Sequence, residues 1–385
     1  MVTNYIEEKE YFVMEKRKIF LLPGDGVGIE VMRETEKIIH YMRDSLGYNF
    51  VCEKGRVGGA AYNVCRRPIS EEDISRALSA DAVLLGAVGG PEWETVPYHL
   101  RPEAGLLRLR KSLQLFANLR PVICYPSLVN SSSLKSSLIR GLDIMIVREL
   151  TGGIYFGEPK KIMDLGEGQT RAIDTQVYET YEIERIAHVA FKLARLRRCH
   201  VTSMDKRNVM RTGFLWNQTV TSIHAAHYNE EIRLKHILAD AGAMELVRKP
   251  QQFDVIVTDN LFGDILSDMA AALTGSLGLL PSASLGDHNE AKGTWCRAIY
   301  EPVHGSAPDI AGKGIVNPIA MIASLAMCFR YSFGMNKEAF ELEKAISTVL
   351  DDGLRTKDIY SEGTQKVSTR EMGEAILSQF KKGIS

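Results

Sequence analysis

The chain has 385 residues, of which 45% are hydrophobic, enough for two domains with apolar cores. Its 47 lysine and arginine residues balance 48 aspartate and glutamate residues, which gives a formal charge of −1. This balance excludes the overall basic character that is typical of proteins binding nucleic acids or membrane surfaces. The six cysteines include no Cys-x-x-Cys pair, so the sequence predicts no disulfide framework.

The N-terminal residues 1–17 mix acids, bases and aromatic residues and lack the apolar core of a secretory signal. No apolar run reaches the roughly 18 residues that a membrane span needs. We therefore expect a cytoplasmic protein whose first 17 residues form a short extension. Translation from Met14 is the alternative interpretation of this segment.

From residue 18 onward, short apolar runs alternate with helical patterns. Strands are predicted at KIFLLP, DAVLLGAVG, LDIMIVREL, CHVTSMDK and FDVIVTDN. Helices are predicted at residues 27–42 and 104–119, and the part from residue 317 onward is mostly helical. Such alternation indicates α/β architecture.

Residues 151–182 interrupt this alternation because they are rich in Gly, Thr and Tyr and alternate in polarity. This pattern is typical of antiparallel hairpins. An arm of this kind inside an α/β chain often covers a sheet edge or pairs with another subunit.

Several charged residues follow the predicted strands, where open α/β sheets bind ligands. Arg148 ends one strand, Lys206 follows another, and Asp264 lies just beyond a third. Arg110 and Arg120 flank an apolar run, and arginine side chains suit carboxylates or phosphates. Ordinary salt bridges are the alternative for each residue taken alone.

Asp264 and Asp268 are four residues apart in NLFGDILSDMAAAL, so a helix would present both carboxylates on one face. Their repulsion would cost a few tenths of a kcal/mol. One interpretation makes Asp264 an N-cap with Asp268 in the first turn. The other places a divalent cation between the two acids.

Two glycine-rich segments differ in what they indicate. Residues 23–31, PGDGVGIEV, have the glycine spacing G-x-G-x-G. This spacing is only a weak signal of dinucleotide binding. A tight turn between a strand and a helix explains the glycines equally well. Residues 301–318, EPVHGSAPDIAGKGIVNP, form a loop dense in Gly and Pro that carries polar side chains suited to holding a ligand.

The motifs VRELTGGIYFGEP, NLFGDILSDMAAALTGSLGLLPSASLG and EPVHGSAPDIAGKGIVNP closely resemble the 3-isopropylmalate dehydrogenases. These enzymes belong to the β-decarboxylating dehydrogenases, together with isocitrate and tartrate dehydrogenases. The resemblance covers nearly the whole chain from about residue 18.

The resemblance implies a two-domain isopropylmalate/isocitrate dehydrogenase-like α/β fold with a β-hairpin arm, which is not a usual Rossmann fold. Residues 18–121 plus 275–385 would form the cofactor-binding domain. Residues 122–274, including the arm at 151–182, would form the substrate and dimerisation domain. The expected assembly is a homodimer with active sites shared between subunits, without nucleic acid or membrane partners.

The resemblance also assigns the candidate site residues. The implied catalytic residues are Lys206 and Tyr155. The implied substrate-binding residues are Arg110, Arg120, Arg148, Asp240, Leu106, Leu107 and Val209. The implied metal ligands are Asp240, Asp264 and Asp268, with Asp240 and Lys206 contributed by the other subunit. The implied cofactor-binding residues are Glu103, His304, Gly305, Ser306, Asp309, Ile310 and Asn317.

The implied reaction is the NAD-dependent oxidative decarboxylation of 3-isopropylmalate to 2-oxoisocaproate and CO2 in leucine biosynthesis, with Mg²⁺ or Mn²⁺. A carboxylate at Asp309 can accept hydrogen bonds from both ribose hydroxyls and repel a 2′-phosphate, which favours NAD over NADP. Apolar walls at Leu106, Leu107 and Val209 suit an isopropyl group, although ordinary helix core explains the two leucines as well.

Three other functions remain open at this stage. A sibling enzyme would act on another 2-alkylmalate, on tartrate or on malate. Arg207 stands where a small residue is common in the family, so the sequence leaves the substrate preference open. A non-catalytic regulatory subunit would lack one of the catalytic or metal-binding groups, and all are present here. A metal-dependent lyase would not need the cofactor loop.

Overall fold

The central feature of the computed structural model, which describes residues 15–132 and 134–384, is a sheet of ten strands. The chain forms sixteen strands within these residues. They are β1 (Arg17–Gly24), β2 (Phe50–Lys54), β3 (Ala82–Ala87), β4 (Ala117–Ile123), β5 (Asp143–Glu149), β6 (Lys161–Gly166), β7 (Gln169–Ile173), β8 (His200–Asp205), β9 (Arg233–Leu238), β10 (Val255–Thr258), β11 (Pro281–Leu285), β12 (His288–Asn289), β13 (Thr294–Trp295), β14 (Ala298–Pro302), β15 (Leu354–Arg355) and β16 (Gln365–Lys366).

Twelve α-helices within the described residues cover and connect the strands. They are α1 (Gly28–Leu46), α2 (Gly59–Cys65), α3 (Glu71–Ser79), α4 (Pro102–Ser112), α5 (Ser136–Ile139), α6 (Thr180–Arg195), α7 (Arg211–His227), α8 (Ala239–Arg248), α9 (Asn260–Thr274), α10 (Ile319–Tyr331), α11 (Asn336–Asp351) and α12 (Thr369–Ile384). None of the described helices is long and apolar enough to cross a membrane.

The strand order of the large sheet is β2-β1-β3-β14-β11-β4-β5-β10-β8-β9. Neighbouring strands are parallel at both ends of the sheet, whereas the three central pairs, β14–β11, β11–β4 and β4–β5, are antiparallel. These central pairs distinguish the sheet from the fully parallel sheet of a usual Rossmann fold. The α/β prediction is confirmed, together with its departure from that arrangement.

The two sides of the sheet come from different parts of the chain. Strands from residues 17–123 and 281–302 form one side, and strands from residues 143–258 form the other. Because β4 and β5 pair over seven residues, one continuous sheet joins the two sides. The carboxyl ends of β5, β10 and β8 therefore lie next to one another. Arg148 lies near the end of β5, Lys206 directly follows β8, and Asp264 lies in the helix after β10.

One predicted helix extends too far in the sequence-based interpretation. The apolar residues 104–119 predict a continuous helix, but α4 ends at Ser112 and β4 begins at Ala117. Gln114 adopts a left-handed backbone with a φ of 57°, which terminates the helix. Leu115 and Phe116 are buried after this turn, so their hydrophobic character reflects tertiary packing and not the face of a helix.

The predicted arm forms one antiparallel hairpin, β6–β7, within residues 151–182. The last residues of the predicted arm belong to α6, which begins at Thr180. The hairpin is largely exposed, and Ile162 on β6 exposes 78% of its surface. A largely exposed hairpin with open edges is suited to pairing with another chain.

Candidate active site

Asp264 is the centre of a cluster of charged side chains. Its Oδ1 accepts a hydrogen bond from Nη1 of Arg148, and its Oδ2 accepts one from the hydroxyl of Tyr155 at 3.1 Å. Nη2 of Arg120 lies 3.4 Å from Oδ1 of Asp264, while Nη1 of Arg120 donates to Oδ1 of Asp268 at 3.2 Å. Two arginines therefore offset the charge of both aspartates on one face of α9.

The start of α9 decides between the two interpretations of Asp264. The N-cap residue is Asp259, whose carboxylate accepts a hydrogen bond from the backbone N–H of Phe262 at 2.8 Å. The helix begins at Asn260, so Asp264 lies one turn inside it. The N-cap interpretation of Asp264 is wrong, because a residue of the preceding turn already caps this helix.

Arg148 is held from both sides. Its Nε donates to Oδ1 of Asn260 at 2.9 Å, and the side-chain amide of Asn260 donates to the carbonyl oxygens of Leu150 and Gly152. Gly263 provides the space that the arginine needs, because a Cβ there would lie 2.6 Å from Cγ of Arg148. Sequence reasoning missed Asn260, since its partner lies 112 residues away in the chain.

Burial shifts the pKa values of the cluster. Burial lowers the pKa of Arg148 to about 10, so this side chain remains cationic at neutral pH. Burial, followed by the charge of Asp264, raises the pKa of Tyr155, so the phenol keeps its proton. Burial also raises the pKa of Asp268, against the opposing effect of Arg120. The cluster thus combines cations, carboxylates and one protonated phenol.

Arg110 is the third predicted arginine, and it contacts Glu301, with 2.5 Å between its Nη2 and the carboxylate Oε1. Its Nε is buried and has no hydrogen-bond partner among the described residues. An unpaired buried donor is costly, so this atom is available to a ligand that carries an acceptor. Glu301 was not predicted as a site residue, although it begins the loop at residues 301–318.

Lys206 and Asp240 form a separate pair, with 2.6 Å between Nζ and Oδ1. The hydrogen bond from Lys206 lowers the pKa of Asp240. Among the described residues, no group of three or more acids, histidines or cysteines is close enough to hold a metal. The single chain therefore brings Asp264 and Asp268 together but does not add Asp240 to them.

The three predicted pocket residues lie in different surroundings. Leu106 packs against a core cluster, whereas Leu107 lines a small cleft of about 250 Å³ together with Glu103 and Trp93. Val209 follows β8 and exposes 73% of its surface. Arg207, the unusual residue beside Lys206, turns back to the carboxylate of Asp205 at 3.0 Å.

Two of the predicted cofactor residues, Glu103 and Ser306, lie close together near Gly89, which follows β3. A Cβ at Gly89 would lie 2.9 Å from the carboxylate of Glu103 and 3.7 Å from Oγ of Ser306, so these residues are neighbours. Asp25, from the GDGVG turn, accepts hydrogen bonds from the backbone N–H groups of Gly59, Ala60 and Gly89. Burial raises the pKa of Asp25, which sequence reasoning did not assign to the site.

The loop at residues 301–318 presents both buried and exposed polar groups. Nε2 of His304 is buried and has no partner in the described part of the chain, so it is open to a ligand. Asn317 is buried and donates to Asp358 at 3.1 Å. Gly305 and Asp309 are exposed, and Ile310 packs against the main core.

A larger groove of about 1810 Å³ lies elsewhere, and none of the predicted site residues lines it. Its walls include Tyr125, Trp295 and Tyr331.

Comparison with known proteins shows the family of the chain. The sequence profile described as isocitrate/isopropylmalate dehydrogenase matches residues 18–376, so the chain belongs to this family. The chain is 66% identical to the 3-isopropylmalate dehydrogenase of Rhizobium etli over 96% of the chain and 99% of that protein. It is 67% identical to the enzyme of the same name from Rhizobium meliloti and 66% identical to that from Brucella suis, with the same coverage.

Two solved structures share the fold. Isocitrate dehydrogenase from Methylococcus capsulatus superposes with a TM-score of 0.82 at 32% identity, covering 95% of this chain and 99% of that one. A β-decarboxylating dehydrogenase from Thermococcus kodakarensis gives a TM-score of 0.75 at 31% identity, with 95% and 96% covered. As a dehydrogenase, the chain is an oxidoreductase that uses a nucleotide cofactor and a metal.

Proposed function

We propose that the protein catalyses the NAD-dependent oxidative decarboxylation of 3-isopropylmalate to 2-oxoisocaproate and CO2, a step of leucine biosynthesis. The observation that carries the proposal is the cluster around Asp264, where Arg148, Arg120 and Tyr155 converge. Two arginines, an acid for a metal and a phenol that keeps its proton suit the decarboxylation of a dicarboxylic hydroxy acid.

The arginines bind the substrate. Arg110, Arg120 and Arg148 present planar donor groups that match the two carboxylates of a malate. Arg110 has an unpaired buried Nε for this purpose. Arg120 and Arg148 both contact Asp264, so a cation held by that acid would leave the two guanidinium groups available to a substrate carboxylate.

Two residues move protons. Lys206 accepts the proton of the C2 hydroxyl, and Tyr155 donates a proton to the carbon from which CO2 has left. The raised pKa of Tyr155 keeps the phenol protonated for this role. When bound, the divalent cation polarises the C2 oxygen and stabilises the negative charge that develops there, while NAD accepts the hydride from C2.

The acids of α9 fit a hard divalent cation such as Mg²⁺ or Mn²⁺, which prefers carboxylate oxygens. Asp264 and Asp268 lie on one helical face, and arginines already offset their charge. Asp240 is the third proposed ligand, and its carboxylate would come from a second subunit.

The nucleotide would lie along the loop at residues 301–318. Asp309 is exposed, which allows it to accept hydrogen bonds from the ribose hydroxyls of NAD. His304 offers a buried nitrogen without a partner, and Glu103 lies beside Ser306 on the nicotinamide side. Gly305, Ile310 and Asn317 complete the proposed binding loop.

A homodimer would complete each active site. Lys206 and Asp240 do not contact Asp264 and Asp268 within one chain, and Val209 beside Lys206 is exposed. Met244 and Val247 on α8 and Ile265 on α9 expose apolar side chains, as the surface of an obligate interface does. The exposed β6–β7 hairpin would pair with its counterpart.

The domain assignment follows from this assembly. Residues 18–121 plus 275–385 would hold the cofactor, and residues 122–274 would bind substrate and associate with the partner. Leu106 and Leu107 from the first domain and Val209 from the partner would surround the isopropyl group. Burial of such a group stabilises binding by about 1.5–3 kcal/mol.

The test is NADH formation with 3-isopropylmalate, with and without Mg²⁺ or Mn²⁺, beside isocitrate, malate and tartrate. We expect metal-dependent reduction of NAD with 3-isopropylmalate and little with the other acids. A preference for another acid would refute the proposed substrate and make Arg207 the first residue to replace. No turnover with any acid would refute the proposed reaction.

A further inference from the structure

The GDGVGIE segment between β1 and α1 contains a residue that the reaction leaves unexplained. Glu30 lies in the first turn of α1, and its carboxylate accepts two backbone hydrogen bonds from the loop at residues 301–318. Oε2 accepts from the N–H of Gly312 at 2.7 Å, and Oε1 accepts from the N–H of Gly314 at 2.9 Å. One carboxylate thus holds the turn that directly follows Asp309.

The same helical turn holds the loop at a second point. The backbone N–H of Val27 donates to the carbonyl oxygen of Ser306 at 2.9 Å. A Cβ at Gly26 would lie 2.1 Å from that oxygen, so only glycine allows this close approach. The loop is therefore fixed at Ser306 and again at Gly312, with Asp309 between the two points.

Asp309 itself is little constrained by its own side chain. Its carboxylate makes no hydrogen bond or ion pair with the described part of the chain, and only its carbonyl oxygen is contacted, by Nζ of Lys313 at 2.6 Å. Gly312 and Gly314 have φ values of 75° and 64°, which are conformations that favour glycine. The position of Asp309 therefore depends on the backbone of the turn, which Glu30 holds by charge-assisted hydrogen bonds.

We propose that Glu30 is a positioning residue that orients Asp309 for the ribose of NAD by fixing the amides of Gly312 and Gly314. The inference rests on the proposed function, because that function assigns Asp309 to the ribose. The Glu30 carboxylate makes no hydrogen bond or ion pair with the proposed substrate-binding arginines or with Lys206 and Tyr155, so we expect its effect to be confined to the cofactor.

The kinetic test uses Glu30→Gln, which keeps the size of the side chain and removes its charge. We expect the KM for NAD to rise about tenfold, while kcat and the KM for 3-isopropylmalate change less than about twofold. Glu30→Ala removes both acceptors and should raise the KM for NAD at least as far. Glu30→Asp keeps the charge but shortens the reach, so its KM should lie between those of wild type and Glu30→Gln.

The matched control is Glu182→Gln, because Glu182 also accepts a backbone hydrogen bond in the first turn of a helix, at 2.8 Å from the amide of Glu179. This helix, α6, does not carry the cofactor loop, so the control should leave the KM for NAD unchanged. An equal rise in the KM for NAD of Glu182→Gln would overturn the proposal, because it would reflect a general loosening of the fold.

A second readout does not depend on turnover. Hydrogen exchange of the peptide containing Gly312 and Gly314 should be faster in NAD-free Glu30→Gln than in wild type, and added NAD should protect residues 306–314 less in the variant. Unchanged exchange, or a fall in kcat at an unchanged KM for NAD, would overturn the proposal. If wild type binds NAD but does not oxidise 3-isopropylmalate, the proposed function fails, and NAD-dependent protection alone still decides the role of Glu30.

Discussion

The surroundings of Tyr155 favour the role of proton donor proposed for it over that of a base. Its hydroxyl donates to Asp264 at 3.1 Å, and the guanidinium of Arg148 lies 5.7 Å from the centre of its ring. Burial and the charge of Asp264 both favour the neutral phenol and so raise its pKa. The phenol therefore keeps its proton at neutral pH.

Tyr155→Phe is expected to lower kcat by about 10²–10⁴-fold, because it removes the proposed proton donor and preserves the ring beside Arg148. Steady-state kinetics and calorimetric binding of 3-isopropylmalate measure the two effects separately, and binding should be nearly unchanged. Tyr181→Phe is the control, since that tyrosine is exposed. A kcat close to that of wild type would exclude Tyr155 as the donor.

Gly263→Ala should lower activity although alanine is the better helix former. In a helix interior the exchange normally stabilises by about 1 kcal/mol. Here the new Cβ would lie 2.6 Å from Cγ of Arg148, so the arginine must move away from Asp264 and Asn260. We expect kcat/KM to fall by about 10–100-fold, since displacement of a binding group by about 1 Å is costly.

Unfolding in denaturant and steady-state kinetics check the Gly263→Ala prediction together. The variant should gain little or none of the usual stabilisation, because the displaced side chain offsets it. A variant that is more stable by about 1 kcal/mol and fully active would show that Arg148 tolerates the contact.

At the scale of elements, α9 is the helix that carries the acids, and its cap is unusual. Asp259 accepts from Phe262 at 2.8 Å and from the side-chain amide of Gln176 at 3.1 Å. Burial nevertheless raises the pKa of Asp259 to about 6. Because this value exceeds that in the unfolded chain, the associated stabilisation is full below about pH 4 and is lost as the pH rises through about 6.

Asp259→Asn should therefore stabilise the protein at pH 8 and not at pH 4. Asparagine caps helices about as well as aspartate but carries no charge to bury, so the expected gain at pH 8 is about 3 kcal/mol. Denaturant unfolding at one fixed protein concentration measures it. Asp44→Asn, at an exposed position of α1, should show no such gain. Loss of stability at pH 8 would mean that the charge of Asp259 is needed.

The elements also show what sequence reasoning can predict. The apolar runs of β1, β3, β5, β8 and β10 predicted these strands because buried strands need continuous apolar residues. The same logic failed at residues 113–116, where a left-handed Gln114 separates α4 from β4. β9 was not predicted, because its residues RLKHIL alternate charged and apolar side chains and lack a continuous apolar run. Such alternation is typical of a strand at the edge of a sheet.

The site was predictable only in part, for a related reason. Charged residues that follow strands, such as Arg148 and Asp264, can be found from local pattern and family motif. Their supports cannot, because Asn260 and Glu301 meet their arginines across 112 and 191 residues of chain. Periodicity carries no information on contacts of that length, so only the fold reveals them.

At the scale of the whole molecule, one chain holds two incomplete halves of the proposed site. Asp264, Asp268 and the arginines lie on one part, and the Lys206–Asp240 pair lies on another. In a dimer with two-fold symmetry, each half of the site on one chain would meet the other half on the partner chain, which would give two complete sites. The exposed apolar residues on α8 and α9 would be covered in such a dimer.

The most direct test of this account is subunit complementation between Lys206→Ala and Asp264→Asn. Each variant alone should be inactive with 3-isopropylmalate, NAD and Mg²⁺. After the two are dissociated, mixed in equal amounts and reassociated, half of the dimers should be mixed, each with one intact site, so about a quarter of wild-type activity should return. Mixtures that remain inactive, although mixed dimers have formed, would contradict the shared site and with it the proposed mechanism.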